Sequence, residues 1–361
     1  MDQALLFGQF DILDVCRRAQ GDLYASLGFG PVESSHHVIA SAPFWRLRDY
    51  GASSGSASVL IVAAPIKRPY IWDLAPPVSA IRRCLDADLR VLLLEWLPAS
   101  EATCNIGITE CVQAASEAVK RIGSSESERK PILMGHSLGG TLAAIYAASA
   151  PNAVDGLILL STPLCFREGE SLFRDALVSL VPNPVSDARI YPGSVLSQAS
   201  AAASPVTFIW SRYLDAITCA TDRAAMDIHA RVQRWAFDEV ALPGKLVSEI
   251  VEWLYRENRF HRAILNVEGR MIGCKDLSTP TLAVVNTADP VAPVNSVRPI
   301  GETLGPEEFQ LIEYPGERGI CLQHLGVLVG RQAHAWLWPQ IVDWIRTRTR
   351  WARHPDGVAA E

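Results

Sequence analysis

Four short apolar runs in the first half of the chain alternate with stretches of helical spacing, and this alternation limits the fold more than any other feature. The runs are VLIVAAP, LRVLLLEW, PILMG and AVDGLILLSTP. Each is rich in Val, Ile or Leu, which is typical of a strand that is buried on both faces. Strands that alternate with helices form parallel β-α-β units, so we expect a central sheet covered by helices on both faces.

The alternation of predicted strands and helices stops at Pro163. It resumes at TPTLAVVNTAD, which is followed by EEFQLIEYPG and a terminal helix. Residues 164–245 carry aromatic residues, prolines and helical patches, without a comparable strand. We therefore predict an N-terminal extension over 1–55, a core over 56–163 and 246–361, and a largely helical lid over 164–245. An insertion at this point would lie over the carboxyl ends of the strands, where α/β proteins place their active sites.

The composition favours a folded protein with a large core. The 361 residues are 49% hydrophobic and 20% charged, and the formal net charge is -6 at pH 7. This acidic balance disfavours a nucleic-acid partner, because nucleic-acid binding depends on basic patches. The eight cysteines form no C-x-x-C pair and no zinc-like spacing, so neither a metal nor another cofactor is predicted.

The sequence patterns of a membrane span and of a signal peptide bear on the expected cellular location. No apolar run approaches the roughly 20 residues that span a bilayer. The first residues, MDQALLFGQFDILDVCRR, contain acidic side chains among the apolar ones and lack the basic start of a signal peptide. We therefore expect a cytoplasmic protein without a membrane span.

The stretch Gly135-His136-Ser137-Leu138-Gly139 matches the pattern G-x-S-x-G. The strand PILMG leads into it and the helical stretch SLGGTLAAIYAASA leaves it, which is the strand–turn–helix setting of a nucleophilic serine. The turn is tight, so side chains at positions 135 and 139 would collide with neighbouring backbone. Ser137 is therefore the predicted nucleophile, and the Leu138 N–H is the predicted donor to the oxyanion.

A nucleophilic serine needs a base and an acid, and the chain supplies both in order. His324, in CLQHLGV, follows the last clear strand, and Asp289 ends the stretch TLAVVNTAD. The order Ser, Asp, His is the one found in α/β-hydrolases. A second oxyanion donor is expected from the turn AAPIKRP, where the two prolines lack an N–H and Ile66 is the best candidate.

Further residues are predicted to line the site or to pack. His136 occupies the variable position of the pentad and is expected to line the site, together with Trp210 and Tyr213 as substrate-binding residues. Cys321 lies near His324 in sequence but is interpreted as a small buried residue. Six aromatic residues of the insertion offer apolar surface that suits an acyl chain: Phe166, Phe173, Phe208, Trp210, Tyr213 and Trp235.

Five segments resemble the polyhydroxyalkanoate synthases of the α/β-hydrolase superfamily. They are VLIVAAPIKRPYIWDLAP, LRVLLLEW, LPGKLVSEIVEWLYRENRF, DLSTPTLAVVNTADPVAP and HLGVLVGRQAHAWLWPQIVDW, and the resemblance covers much of the chain. It implies the α/β-hydrolase fold, places the family's acid at Asp289 and places its histidine at His324. The family's synthases have a cysteine nucleophile where this chain has Ser137.

This difference predicts a serine hydrolase that cleaves (hydroxy)acyl esters or thioesters through an acyl-Ser137 intermediate. A thiol exchanges acyl groups readily with a coenzyme A thioester, whereas a serine ester is the usual intermediate of hydrolysis. Two alternatives stay open: an acyltransferase or synthase-like enzyme with the same triad, and a non-catalytic binding module. The expected partner is an acyl ester or acyl-CoA thioester, and the oligomeric state stays open, a homodimer included.

Overall fold

The computed structural model describes residues 3–51, 57–123, 130–187, 190–305 and 307–351, and its strands pair mostly into one sheet. The strands in these ranges are β1 (His37–Ala42), β2 (Trp45–Asp49), β3 (Ser58–Val62), β4 (Arg90–Trp96), β5 (Ile132–His136), β6 (Gly156–Leu160), β7 (Ile190–Tyr191), β8 (Leu242–Pro243), β9 (Leu265–Val267), β10 (Arg270–Ile272), β11 (Thr281–Asn286) and β12 (Phe309–Tyr314). Eight of them form the central sheet, in the order β1-β2-β4-β3-β5-β6-β11-β12.

Helices lie between and around these strands. They are α1 (Gln3–Tyr24), α2 (Ala80–Leu85), α3 (Ile108–Gly123), α4 (Leu138–Ser149), α5 (Leu172–Leu180), α6 (Gly193–Ala203), α7 (Ser211–Cys219), α8 (Arg223–Phe237), α9 (Gly244–Glu249), α10 (Pro299–Thr303), α11 (Gly326–Val329) and α12 (Trp338–Trp351). A π-helical turn, Val206–Trp210, runs directly into α7.

The middle of the sheet is parallel and buried on both faces. Every residue of β3, β5 and β6 is buried, and β3 pairs in parallel with both β4 and β5. One face carries a hydrophobic cluster that includes α3 and α4, and the other carries a cluster that includes α2 and α12. The predicted mostly parallel sheet with helices on both faces is therefore confirmed.

Two strands come from the part of the chain that the sequence predicts to be an N-terminal extension. β1 and β2 pair antiparallel with each other, and β2 pairs antiparallel with β4. Arg46 and Arg48 interrupt the apolar pattern of β2, but both guanidinium groups bind the buried carboxylate of Glu95 on β4. A charged residue is stable in a strand when its partner lies on the neighbouring strand, and no local pattern reveals that partner.

The chain between β6 and β11 leaves the sheet, as the sequence predicts. Helices α5 to α8 and the small β7–β8 pair lie in this excursion, and β6 then pairs with β11. The excursion continues through α9 and the β9–β10 hairpin, so the sheet resumes only at Thr281. The exact lid and core boundaries at 164–245 stay a prediction.

Helix α1 packs on α6 and α8 of the excursion. The carboxylate of Asp14 accepts hydrogen bonds from Gly193 N at 3.0 Å and from Ser194 N at 2.8 Å, which are the first two residues of α6. A carboxylate at a helix N-terminus satisfies free N–H groups and suits the helix dipole. The N-terminal helix thus holds the excursion in place.

Candidate active site

Ser137 lies at a sharp turn between the end of β5 and the start of α4. Its backbone has φ 54° and ψ −134°, a conformation that serine rarely adopts. The Ser137 N–H donates to the carbonyl oxygen of Leu160 on β6 at 3.1 Å, which holds the turn against this strain. The turn places the serine at the carboxyl end of the parallel sheet.

The glycines of the pentad are required by close backbone contacts. A Cβ atom on Gly135 would lie 2.4 Å from Gly140 Cα, and a Cβ atom on Gly139 would lie 2.3 Å from the carbonyl oxygen of Val62. Distances this short are incompatible with a side chain. The first turn of α4 can therefore sit against the end of β3 only with glycine in these positions.

Asp289 and His324 form a buried hydrogen-bonded pair. His324 Nδ1 lies 2.7 Å from Asp289 Oδ2, and Asp289 Oδ1 accepts from Val291 N at 2.8 Å and Ala292 N at 3.2 Å. Burial by itself would raise the pKa of Asp289. The charge and hydrogen bond of His324, with the two N–H groups, bring this pKa below its usual value. Asp289 is therefore an ionised carboxylate that orients the imidazole.

His136 holds the backbone that carries the base. Its Nε2 lies 2.7 Å from the carbonyl oxygen of His324, and the centroids of the two imidazole rings are 4.6 Å apart. Burial, and then the charge of His324, lowers the pKa of His136 to about 3. A neutral His136 with the proton on Nε2 donates this hydrogen bond, because a carbonyl oxygen can only accept.

Asn286 supports the same loop from the end of β11. Its Nδ2 donates to the carbonyl oxygen of Gln323 at 2.7 Å, one residue before His324. The sequence pattern does not single out this amide. The only local signal of a role for Asn286 is its position three residues before Asp289. Its contact with Gln323 depends on the fold.

A cavity of about 300 Å³ opens beside the serine. Ser137, Leu138, Ile66, His136 and His324 all line it. The N–H groups of Leu138 and Ile66 have no acceptor among the described residues, so both are free to donate. The rest of the wall is mainly apolar, and the excursion contributes Phe173, Phe208 and Trp235 to it.

The other aromatic residues lie elsewhere. Trp210 and Tyr213 are 60% and 64% exposed and are not among the residues that line the cavity. Phe166 is buried against Tyr255, with ring centroids 4.9 Å apart. The structure thus brings three of the six aromatic side chains to the cavity. Of the three predicted substrate-binding residues, His136 lines the cavity, whereas Trp210 and Tyr213 lie on the surface.

Cys321 is buried outside the cavity wall. Its sulfur lies 2.9 Å from His229 Nδ1 and 3.5 Å from Gln233 Nε2. Burial raises the pKa of this thiol to about 12. A protonated thiol in this place is a poor nucleophile, which agrees with its interpretation as a small buried residue.

Arg17 also reaches the cavity, from helix α1. The sequence predicts that region to be an N-terminal extension, and no local pattern around Arg17 indicates a role in the site. In the described part of the chain, no group of three His, Cys, Asp or Glu residues could hold a metal ion. No helix within the described ranges is long and apolar enough to cross a membrane.

A family model described as the alpha/beta hydrolase fold matches residues 101–325, which is more than half of the chain. The chain therefore belongs to this family and is an enzyme of this fold.

Among curated proteins it is similar to the poly(3-hydroxyalkanoate) polymerase subunit PhaC of Haloferax mediterranei, with 26% identity over 84% of this chain and 62% of that protein. The same subunit of Allochromatium vinosum is 22% identical over 80% of this chain and 81% of that protein. The chain spans only about 62% of the length of the Haloferax relative. The resemblance to polyhydroxyalkanoate synthases is thus confirmed at the level of sequence similarity.

Solved structures agree on the fold. The monoacylglycerol lipase of Paleococcus ferrophilus superposes with a TM-score of 0.54 at 17% identity, over 84% of this chain and 99% of that one. The enol-lactonase of Burkholderia xenovorans superposes with a TM-score of 0.53 at 13% identity, over 86% of this chain and all of the other. At such low identity these likenesses show the fold alone.

Proposed function

We propose that this protein is a serine hydrolase that cleaves acyl esters or thioesters, those of hydroxyacyl type included, through an acyl-Ser137 intermediate. The observation that carries the proposal is the buried pair of Asp289 and His324, 2.7 Å apart, in which the histidine lines the same cavity as Ser137. A serine at a strained turn with such a pair beside it has the parts of a catalytic triad.

The proposed reaction has two halves. His324 Nε2 takes the proton of the Ser137 hydroxyl as Oγ attacks the acyl carbonyl carbon, and the same proton then goes to the leaving alcohol or thiol. Asp289 keeps Nδ1 protonated and stabilises the imidazolium that forms. The N–H groups of Leu138 and Ile66 stabilise the negative charge on the carbonyl oxygen. Water, deprotonated by His324, attacks the acyl-Ser137 ester and releases the acid.

The shape of the cavity supports an apolar acyl chain. Phe173, Phe208 and Trp235 bring aromatic surface from the excursion to the wall that also carries Ser137. Such surface favours burial of a hydrocarbon chain by about 25 cal/mol for each Å² removed from water. We propose that residues 164–245 act as the lid of this cavity.

Two other functions remain to be separated from hydrolysis. The similarity to polymerase subunits favours acyl transfer, in which a hydroxyl group replaces water as the acceptor. Ser137 favours hydrolysis, because a serine ester needs an alkoxide leaving group for each transfer, whereas the cysteine of the resembling synthases leaves as a thiolate. The third function, a binding module without catalysis, has no need for the buried Asp289–His324 pair.

The first experiment measures turnover of the purified protein on 4-nitrophenyl esters and acyl-CoA thioesters of graded chain length. We expect hydrolysis, with no detectable turnover by Ser137→Ala and losses of several orders of magnitude by His324→Ala. The losses in the double variant should not add, because the residues act as one unit. A fluorophosphonate probe should label the wild-type protein at Ser137, and wild-type turnover by Ser137→Ala would contradict the proposal.

The second experiment separates hydrolysis from polymerisation. With 3-hydroxybutyryl-CoA we expect free acid and coenzyme A, or no reaction, as measured by release of the thiol and by size analysis of the products. Formation of high-mass polyester by the wild-type protein would show that the synthase-like alternative is correct. The matched variant is Ser137→Cys. If the wild-type protein does form polyester, this variant should be at least as active a synthase as the wild type.

A further inference from the structure

Basic side chains line the cavity beside Ser137, although most of its wall is apolar. They are Arg17, Lys67, Arg68 and Arg212, and no Asp or Glu is among the described residues of the wall. A charge that loses water on burial is costly unless a partner compensates for it. A partly buried cation of this kind is therefore more stable beside an anionic group.

Three of the four basic side chains have a carboxylate partner. Glu239 Oε1 lies 2.7 Å from Arg17 Nε, and Glu239 Oε2 lies 2.6 Å from Lys67 Nζ. Asp238 Oδ1 lies 3.6 Å from Arg68 Nε. Each of these three cations therefore has a carboxylate partner behind the wall, although Glu239 serves two of them.

Arg212 is different. Its half-buried side chain has no hydrogen-bond or ion-pair partner among the residues that the structure describes. Burial lowers the pKa of this guanidinium below its ordinary value, while Cys321 and Glu239 oppose this effect and Arg17 adds to it. An arginine remains charged even so. Arg212 is therefore the one of these four basic side chains that has no direct partner among the described residues.

The backbone next to Arg212 is tied to the loop that carries the proposed base. Ser211, its neighbour at the start of α7, donates a hydrogen bond from Oγ to the carbonyl oxygen of Cys321 at 2.9 Å. Cys321 is only three residues before His324, and both Arg212 and His324 line the cavity. The start of α7 is thus tied to the loop that carries the base.

We propose that Arg212 binds a carboxylate or phosphate group of the substrate, so that the enzyme prefers esters or thioesters with a negatively charged group apart from the scissile bond. This inference rests on the proposed ester hydrolysis and names its substrate class. A guanidinium presents paired donors that match the oxygen atoms of either group. The apolar wall would hold the uncharged part of the same substrate.

The test compares substrates that differ only in charge. The first pair is the 4-nitrophenyl monoester of adipic acid, with a free carboxylate, and the same compound with that carboxylate methylated. The second pair is a hexanoyl ester of glycerol 3-phosphate and a hexanoyl ester of glycerol. The measured quantity is the ratio of kcat/KM for the charged member over the neutral member.

For wild-type protein we expect a ratio of at least about tenfold in one of the two pairs, the usual size of a charged hydrogen bond. Arg212→Gln should bring that ratio close to one, and Arg212→Lys should keep part of it. Arg68→Gln is the matched control, because it removes a cation of the same wall that already has a carboxylate partner in Asp238. This control should keep the wild-type ratio.

The two pairs locate the negative charge. A preference in the adipate pair places it on the acyl chain, and a preference in the glycerol pair places it on the alcohol; either result supports the proposal if Arg212→Gln removes it. Equal rates within both pairs, or a preference that persists in Arg212→Gln, would overturn the proposal.

A binding measurement keeps this test independent of turnover. The Ser137→Ala protein should bind the anion of monomethyl adipate or glycerol 3-phosphate in calorimetry, at least about tenfold more tightly than the double variant with Arg212→Gln. Absence of hydrolysis by the wild-type protein, with this binding intact, would contradict the proposed function alone. Equal binding of both anions by the two proteins would overturn the role of Arg212.

Discussion

The buried His136 should make the protein lose stability in mild acid. Burial, and then the charge of His324, lowers the pKa of His136 to about 3 in the folded protein, against 6.5 in the unfolded chain. Between these values the unfolded chain binds a proton that the folded protein does not, so stability is complete above pH 6.5 and falls as the pH decreases towards 3. Linkage gives a loss of about 2 kcal/mol at pH 5 from this one group.

The variant His136→Leu separates the titration from the hydrogen bond. It leaves the buried carbonyl oxygen of His324 without its donor, which should cost about 1–3 kcal/mol at pH 7.5. Leucine cannot bind a proton. The difference in free energy of unfolding between the wild type and His136→Leu should therefore shrink by about 2 kcal/mol from pH 7.5 to pH 5. His136→Gln, which still carries a donor, should be closer to wild type at pH 7.5 and should also lack this part of the pH dependence.

The assay is unfolding in urea between pH 5 and 7.5, followed by the fluorescence of the ten tryptophans. His37→Gln is the control, because His37 is an exposed histidine on the edge strand β1, and this variant should follow the wild-type pH dependence. If His136→Leu and the wild type lost stability in parallel down to pH 5, the reasoning about the buried neutral histidine would be refuted.

Three further substitutions test the site and the turn. Asp289→Asn should lower kcat/KM by several orders of magnitude, because an amide does not stabilise the imidazolium; a steady-state rate within about tenfold of wild type would remove Asp289 from the mechanism. Cys321→Ala should keep the hydrolysis rate within about tenfold, since its sulfur lies outside the cavity wall, and a complete loss would reopen the choice of nucleophile. Gly139→Ala should lower the free energy of unfolding by about 1–3 kcal/mol, because its Cβ would lie 2.3 Å from the Val62 oxygen, whereas Gly8→Ala meets open space and should not destabilise.

Much of the fold was predictable because its signals are local. A strand buried on both faces needs an unbroken apolar run, and β3, β4, β5 and β6 each have one. The pentad around Ser137 also contains the reasons for its own geometry, since its glycines follow from a tight turn between a strand and a helix. Asp289 and His324 could be proposed as the acid and the base because each follows a recognisable strand. Their 2.7 Å contact could not be read from the sequence.

What the sequence alone determined, then, was the parallel centre of the sheet, the excursion after β6 and the candidate triad. Only the tertiary structure decided that β1 and β2 extend the sheet, that Trp210 and Tyr213 lie on the surface, and that Arg212 lines the cavity without a described partner. The physical reason is the range of each interaction. Hydrophobic periodicity and turn chemistry act over a few neighbouring residues, whereas the compensation of a charge depends on groups far apart in the chain.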